Sequence, residues 1–207
     1  MTYSIRVVSH RPALAANVVR SLAPERVEVF DGSGFPSFAR LANECAAACP
    51  TETVVLCSDK MAPKPADLRR MLALLDEGHG LVGLYRFAFF GFRKELFRRI
   101  GCFDERFVGG GYEDTDLVLR MREADISYHS EQSVPYTWME SSWDNTRSKL
   151  HDLAKWDRSE HPERIRRLLP EEPSPRDWGE PTGQAFLPFA RSTLLKWSRW
   201  LFDVEVS

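Results

Sequence analysis

Three short segments rich in β-branched and apolar residues, at positions 3–9, 26–30 and 53–57, each stop at a polar turn and each lead into a stretch with helical spacing. This alternation constrains the fold more than any other feature of the chain. Strands separated by helices of this length pair in parallel within an open α/β sheet. The first strand ends at Ser9-His10-Arg11-Pro12, after which Ala15, Val19 and Leu22 recur at the spacing of one helix face. The second ends at Asp31-Gly32-Ser33-Gly34 and precedes a helix over residues 37–49. The third ends at Ser58-Asp59-Lys60; a helix over residues 66–76 follows Pro63 and Pro65 and closes at Gly78 and Gly80. Ligands of such sheets bind outside the carboxyl ends of the strands. Here those ends carry Ser9 and Arg11, Asp31 and Ser33, and Asp59. Neither a dinucleotide fingerprint nor a P-loop is present, because the glycine and lysine spacings those motifs need are missing.

The aromatic run GLVGLYRFAFFGF, residues 80–92, reads as one or two buried strands with Gly91 at a bend, and residues 93–100 read as a short basic helix. Next comes FDERFVGGGYEDTDLVLR, residues 103–120, with three glycines, an aromatic, and then Glu113, Asp114 and Asp116. Leu117, Met121 and Ala124 follow on one helix face. A glycine run lets backbone approach a ligand closely, and carboxylates at a helix start are favoured by its dipole. The stretch suits a general base at a cleft edge. It equally suits an acidic N-cap behind a loop. Short strands are expected over residues 126–129 and 133–138, and a helix over 141–156.

Beyond Trp156 the composition changes. Residues 1–156 read as one domain and 157–207 as a proline- and charge-rich linker ending in an aromatic-basic helix over 186–202. In that last helix Leu194, Trp197 and Leu201 share a face beside Arg191, Lys196 and Arg199. Such a helix docks on its own domain or on a second copy, or lies on a membrane surface.

A chain of 207 residues, 43% hydrophobic and 28% charged, has a globular composition and enough length for a full core. Its net charge of −2 offers no general argument for nucleic acid or an acidic membrane. Without a run of spanning length or a leader pattern, the expected location is cytoplasmic. The four cysteines lack the paired spacing of a zinc site and read as small buried apolar residues in a reducing compartment.

The SHRP turn, Asp31-Gly32-Ser33, Asn43, Asp59 and the block GFRKELFRRIGCFDERFVGGGYEDTDLVLRMREADI together resemble the GT-A glycosyltransferases, particularly family 2 and the galactosyltransferase-type domain. The resemblance spans residues 3–156 and is strongest over 91–126. It implies a mostly parallel, Rossmann-like α/β sheet. It also implies transfer of a sugar, usually with inversion, from a nucleotide-diphosphate donor to an acceptor hydroxyl. By the same resemblance Asp114 matches the catalytic base, Glu113 the residue that helps hold the acceptor, and Asp116 a residue that orients the loop. Asp31 matches the acid at the nucleotide's base or ribose, with Ser9, Arg11 and Ser33 beside the donor. Arg120 is a candidate partner of Asp116 by helical proximity. Tyr112, Trp138 and Trp143 are read either as a platform for a sugar ring or as core aromatics.

One part of the family pattern is incomplete. Where the family carries a D-x-D metal motif, this chain reads Leu56-Cys57-Ser58-Asp59-Lys60. The histidine that completes the metal site in many relatives is missing from Val134-Pro135-Tyr136-Thr137-Trp138, and His129 lies one strand earlier. Two readings follow for the leaving diphosphate. Either Asp59 and the donor hold Mn²⁺ or Mg²⁺ between them, or Lys60 supplies a point charge in place of metal. A further alternative is a non-catalytic nucleotide-sugar-binding or scaffold protein that kept the fold.

Overall fold

The computed structural model describes residues 2–9, 11–105, 107 and 113–135. The expected helix over 141–156, the tail from 157 to 207, and Tyr112, Trp138 and Trp143 lie outside the described residues.

The elements run β1 (Tyr3–Ser9), α1 (Pro12–Ser21), β2 (Val27–Asp31), α2 (Phe38–Ala47), β3 (Thr53–Ser58) and α3 (Pro65–Asp76), followed by β4 (Leu81–Phe87), β5 (Phe89–Arg93), α4 (Lys94–Ile100), α5 (Glu113–Glu123) and β6 (Tyr128–Ser130). The six strands form one sheet in the order β2-β1-β3-β5-β4-β6. Parallel pairing joins β1 to β2 and β3, and β4 to β6; β5 alone runs against its neighbours β3 and β4. This is the mixed, mostly parallel sheet expected from the strand–helix alternation.

Apolar residues on both faces of the central strands explain the layering. Val55 and Cys57 of β3 pack with Ile5, Val7, Val82, Leu84 and Phe89 under α1 and α3. Val54 and Leu56 point the other way, with Phe90 and Phe92, toward α2, α4 and α5. On that second face Phe92 meets Phe97 at 4.5 Å between ring centroids, and Phe103 stands edge-on to Phe38, 5.7 Å away. Local signals set the helix starts. Ser37 caps α2 by accepting from the Arg40 N–H at 3.2 Å, and prolines open α1 and α3.

Several details differ from the sequence reading. The fully buried face of α1 is Ala15, Val18 and Leu22, with Val19 only partly covered, because α1 turns its stripe one residue earlier. Gly91 is not at a bend. It sits inside β5, where a Cβ would come within 2.7 Å of Met71 Sδ, so the glycine makes room for α3. The chain reverses instead around Ala88, between β4 and β5. Residues 133–135 form no strand; they run past the β4 end, bound through the Ser133 N–H to the Leu84 carbonyl at 3.0 Å. Cys45, Cys49 and Cys57 are buried as expected, but Cys102 is exposed in the loop after α4. Among the described residues no helix is long and apolar enough to cross a membrane.

Candidate functional site

Parallel pairing brings the ends of β1, β2 and β3 side by side, with Ser9 in register with Asp31 and Val8 with Ser58. Three of the polar strand ends read from the sequence therefore share one edge. Ser9 links them. Its hydroxyl accepts from the Arg11 N–H at 2.8 Å and lies 2.6 Å from Asp59 Oδ2 and 3.1 Å from the Arg11 carbonyl. A hydroxyl has one proton to give, and the shorter, charge-assisted bond to Asp59 takes it. The Ser9 carbonyl in turn accepts from the Gly32 N–H at 2.8 Å, tying the second strand's turn to the first.

Asp31 is exposed and folds back on its own turn, accepting from the Ser33 N–H at 2.9 Å and the Ser33 hydroxyl at 2.8 Å. This Asx-type turn presents both residues at the rim. Asp59 and Lys60 are buried, at 6% and 9% exposure, in the turn after β3. Two buried charges of opposite sign at a strand end are costly unless they are used or paired.

The antiparallel strand β5 places the β4–β5 turn at this same edge. The Ser58 N–H donates to the Ala88 carbonyl at 2.7 Å, stitching the end of β3 to the hairpin tip. The turn after Asp59 is likewise held by the Ala62 N–H on the Pro135 carbonyl at 3.1 Å. Arg86 stands at this tip, exposed and with φ of 48°, in the left-handed region. Its charge acts on the carboxyl of Asp114. Sequence reasoning missed Arg86. The one signal available was its being the lone charge within an otherwise apolar run.

Asp114 is the second residue of α5, and Oδ1 accepts from the Thr115 N–H at 2.8 Å. Burial of the carboxyl raises its proton affinity above the ordinary carboxylate range; the Thr115 N–H and the Arg86 charge oppose that rise. Glu113 and Asp116 flank it, buried at 5% and 3% exposure. The three carboxylates are differently engaged. Asp116 accepts from Arg120 Nε at 3.0 Å, the pairing expected from their four-residue spacing. The same guanidinium donates to the carbonyls of Ile100, Gly101 and Cys102 at 2.7, 3.1 and 2.8 Å. Asn43 of α2 holds the next part of that loop, exchanging bonds with the Phe103 backbone at 2.9 and 3.0 Å and reaching Glu105 at 2.9 Å. The loop leading to α5 is thus anchored from two helices.

A protein-built metal site does not fit the described residues. No cluster of three or more His, Cys, Asp and Glu is present among them. Asp59 is a single carboxylate whose Oδ2 already accepts from Ser9, and hard cations want several oxygen ligands. His129 lies beside Glu131 at 3.5 Å, in a strand that pairs with the start of β4, away from the strand ends that carry Asp59. The buried thiols are poor ligands as they stand, since burial pushes Cys45 up to about 12 and Cys57 higher still.

No protein-family model and no curated protein sequence matches the chain. Solved structures do. The mannosyltransferase PcManGT from Pyrobaculum calidifontis, in complex with GDP-Man and Mn²⁺, aligns over 98% of this chain and 81% of its own, with TM-score 0.60 and 14% identity. A Drosophila β1,4-galactosyltransferase 7 variant, in complex with manganese, UDP-Gal and xylobiose, aligns over 73% of each chain with TM-score 0.51 and 13% identity. S. aureus TarS aligns over 96% of this chain and 80% of its own, with TM-score 0.50 and 11% identity. The architecture defined by the sheet order and the polar strand ends is the GT-A glycosyltransferase fold. At these identities the likeness lies in the backbone, not in shared side chains.

Proposed function

We propose that this protein is a glycosyltransferase that moves a sugar from a nucleoside-diphosphate donor to an acceptor hydroxyl with inversion, using Asp114 as general base. One observation carries the reading. A carboxyl with raised proton affinity lies in the first turn of α5 and feels the charge of Arg86, at a hairpin tip stitched to the end of β3 beside the Ser9–Asp59 pair. A carboxyl of raised proton affinity is a better base than a solvated one.

In this scheme Asp31 and Ser33 take the nucleoside at the rim. Ser9 and Arg11 line the donor's path toward Asp59. The acceptor oxygen attacks the anomeric carbon while its proton passes to Asp114. The bond from the anomeric carbon to the diphosphate oxygen breaks, and its electron pair leaves with the diphosphate. A single displacement of this kind inverts the anomeric centre. Lys60 supplies positive charge toward the leaving group. Glu113, next to the base, helps hold the acceptor, and Asp116 fixes the loop through Arg120. Tyr112, Trp138 and Trp143 are assigned to the acceptor sugar's apolar face, and Mn²⁺ or Mg²⁺ brought in with the donor would use Asp59 and the phosphate oxygens.

A thermal-shift screen of UDP, GDP, CDP and dTDP, with and without Mn²⁺, tests the donor half. Hydrolysis of the matching nucleotide-sugars tests the chemistry. A stabilising nucleotide whose sugar conjugate is slowly consumed supports the enzyme. Binding without consumption under any condition supports the non-catalytic nucleotide-sugar-binding reading. No nucleotide effect at all overturns both.

A further inference from the structure

We infer that a cavity at the far end of the sheet is a second binding site, one that takes a small zwitterion. Arg99 holds the ligand's carboxylate or phosphate there, and Asp125 its ammonium group.

Strand directions set the place. Gly80 leads into β4 and Ser127 into β6, while Arg93 closes β5 opposite Thr53, where β3 begins. All three lie at the end of the sheet away from Ser9 and Asp59. Between these turns and α4 lies an open cavity of about 260 Å³. That is the liquid volume of about nine water molecules, room for a small metabolite. Leu96 and Ile126, both buried, supply its apolar floor. The walls are fixed from several sides. The Gly80 N–H donates to the Ser127 carbonyl at 2.9 Å, a Cβ on Gly80 would collide with Ile126, and the His79 ring bonds the Ser127 hydroxyl.

Four charged side chains line the cavity: Arg93, Glu95, Arg99 and Asp125. Two of them are paired outside it, Arg93 with Asp76 at 2.9 Å and Glu95 with Arg98 at 3.0 Å. Arg99 and Asp125 form no ion pair among the described residues, with each other or with any third group. Arg99 Nη2 donates to the Ala124 carbonyl at 3.4 Å, which holds the guanidinium at the wall beside Asp125 without joining the two charges.

Asp125 is a costly choice where it stands. It ends α5 in the left-handed region, at φ of 52°, with its own N–H on the Arg122 carbonyl and the Ile126 N–H on the Met121 carbonyl, at 3.2 and 2.9 Å. Glycine or asparagine is usual at that position, and an anion there meets the negative end of the helix dipole. A carboxylate so placed, without a cation of the protein's own, is accounted for by a cation that arrives with a ligand. An ammonium group gains from both Asp125 and the end of α5. Arg99, unpaired on the same wall, takes an anionic group. A ligand with one charge alone would be repelled by one of the two residues; a ligand with both satisfies each.

Calorimetric titration of the full chain with β-alanine and with O-phosphoethanolamine tests this. At least one should bind saturably, and the tighter of the two assigns the anionic end as carboxylate or phosphate. Propionate and ethylamine, each with a single charge, should bind at least about tenfold more weakly. Amide NMR shifts on titration should gather at Gly78, Gly80 and Ser127. Asparagine tolerates the left-handed backbone, so Asp125→Asn removes the charge and keeps the helix end; its Tm should not fall. Asp125→Asn and Arg99→Gln should each weaken zwitterion binding about tenfold or more, with far-UV circular dichroism unchanged. Absence of binding by both zwitterions overturns the proposal, as does equal binding of propionate, or unaltered affinity in the two folded variants. Shifts gathered at Gly32 and Ser33 instead would place the ligand at the other end of the sheet and overturn it as well.

Discussion

The Arg120 guanidinium bonds the Asp116 carboxylate at 3.0 Å while spanning the carbonyls of Ile100, Gly101 and Cys102. One side chain therefore closes the end of α4, the loop after it and the first turn of α5 into a single unit. Asp116 is almost fully buried and Arg120 is partly so. Arg120→Ala leaves a buried carboxylate and three carbonyls without this donor, at a cost of about 3 kcal/mol. Arg120→Lys keeps the charge but not the planar fork, and recovers less than half of the loss. Denaturant unfolding of the three proteins checks this. Full recovery by lysine would mean that charge alone holds the loop.

Ser9 plays the matching part where β1 and β3 end. Ser9→Ala removes the proton donated to buried Asp59 and the acceptor used by the Arg11 N–H. The expected loss is about 1–2 kcal/mol of stability, with weaker binding of the nucleoside diphosphate. Calorimetric titration of the nucleotide identified by thermal shift checks the second effect. Unaltered affinity would place Ser9 in the fold only.

Asp114 predicts a pH signature. Burial raises its folded pKa above the ordinary value, against the pull of the Thr115 N–H and Arg86. A carboxyl shifted in this direction stabilises the fold below its unfolded pKa, and that stability is lost as pH rises through the folded value. Ionised Asp114 is therefore a burden on the fold at neutral pH. Asp114→Asn should raise Tm there, with the gain shrinking as pH falls through the folded value and gone below about 4. Thermal melts across that range decide it, and a Tm difference independent of pH contradicts the assignment.

Lys60 is buried directly after Asp59 in the turn that follows β3. With Lys60 as the counter-charge, donor consumption persists in excess chelator, and Lys60→Ala lowers kcat by on the order of a hundredfold. Activity abolished by chelator and insensitive to Lys60→Ala reverses the assignment in favour of a donor-borne cation.

Much of the polar strand-end cluster was legible from local pattern. The strand expected at residues 3–9 is β1, with the same bounds, and the alternation of strands and helices correctly implied the parallel neighbours β2 and β3. The Arg120–Asp116 pair was legible because helical spacing alone places those side chains together. Arg86 was not, because its electrostatic pull on Asp114 joins a hairpin and a helix 28 positions apart in sequence and goes with a backbone angle that no arginine advertises. Gly91 was misread for a related reason. Its missing side chain answers to Met71 on a packed helix, not to the path of its own strand.

The most direct measurement compares wild type and Asp114→Asn for transfer from the matching nucleotide-sugar, at saturating donor and with nucleotide affinity measured on the same samples. The Asp114 Oδ1 bond to the Thr115 N–H can be kept by asparagine, so the helix start should survive. Loss of a positioned base predicts a fall in kcat on the order of a thousandfold, with nucleotide affinity unchanged. A variant that transfers sugar at the wild-type rate would contradict the central claim that Asp114 takes the acceptor's proton.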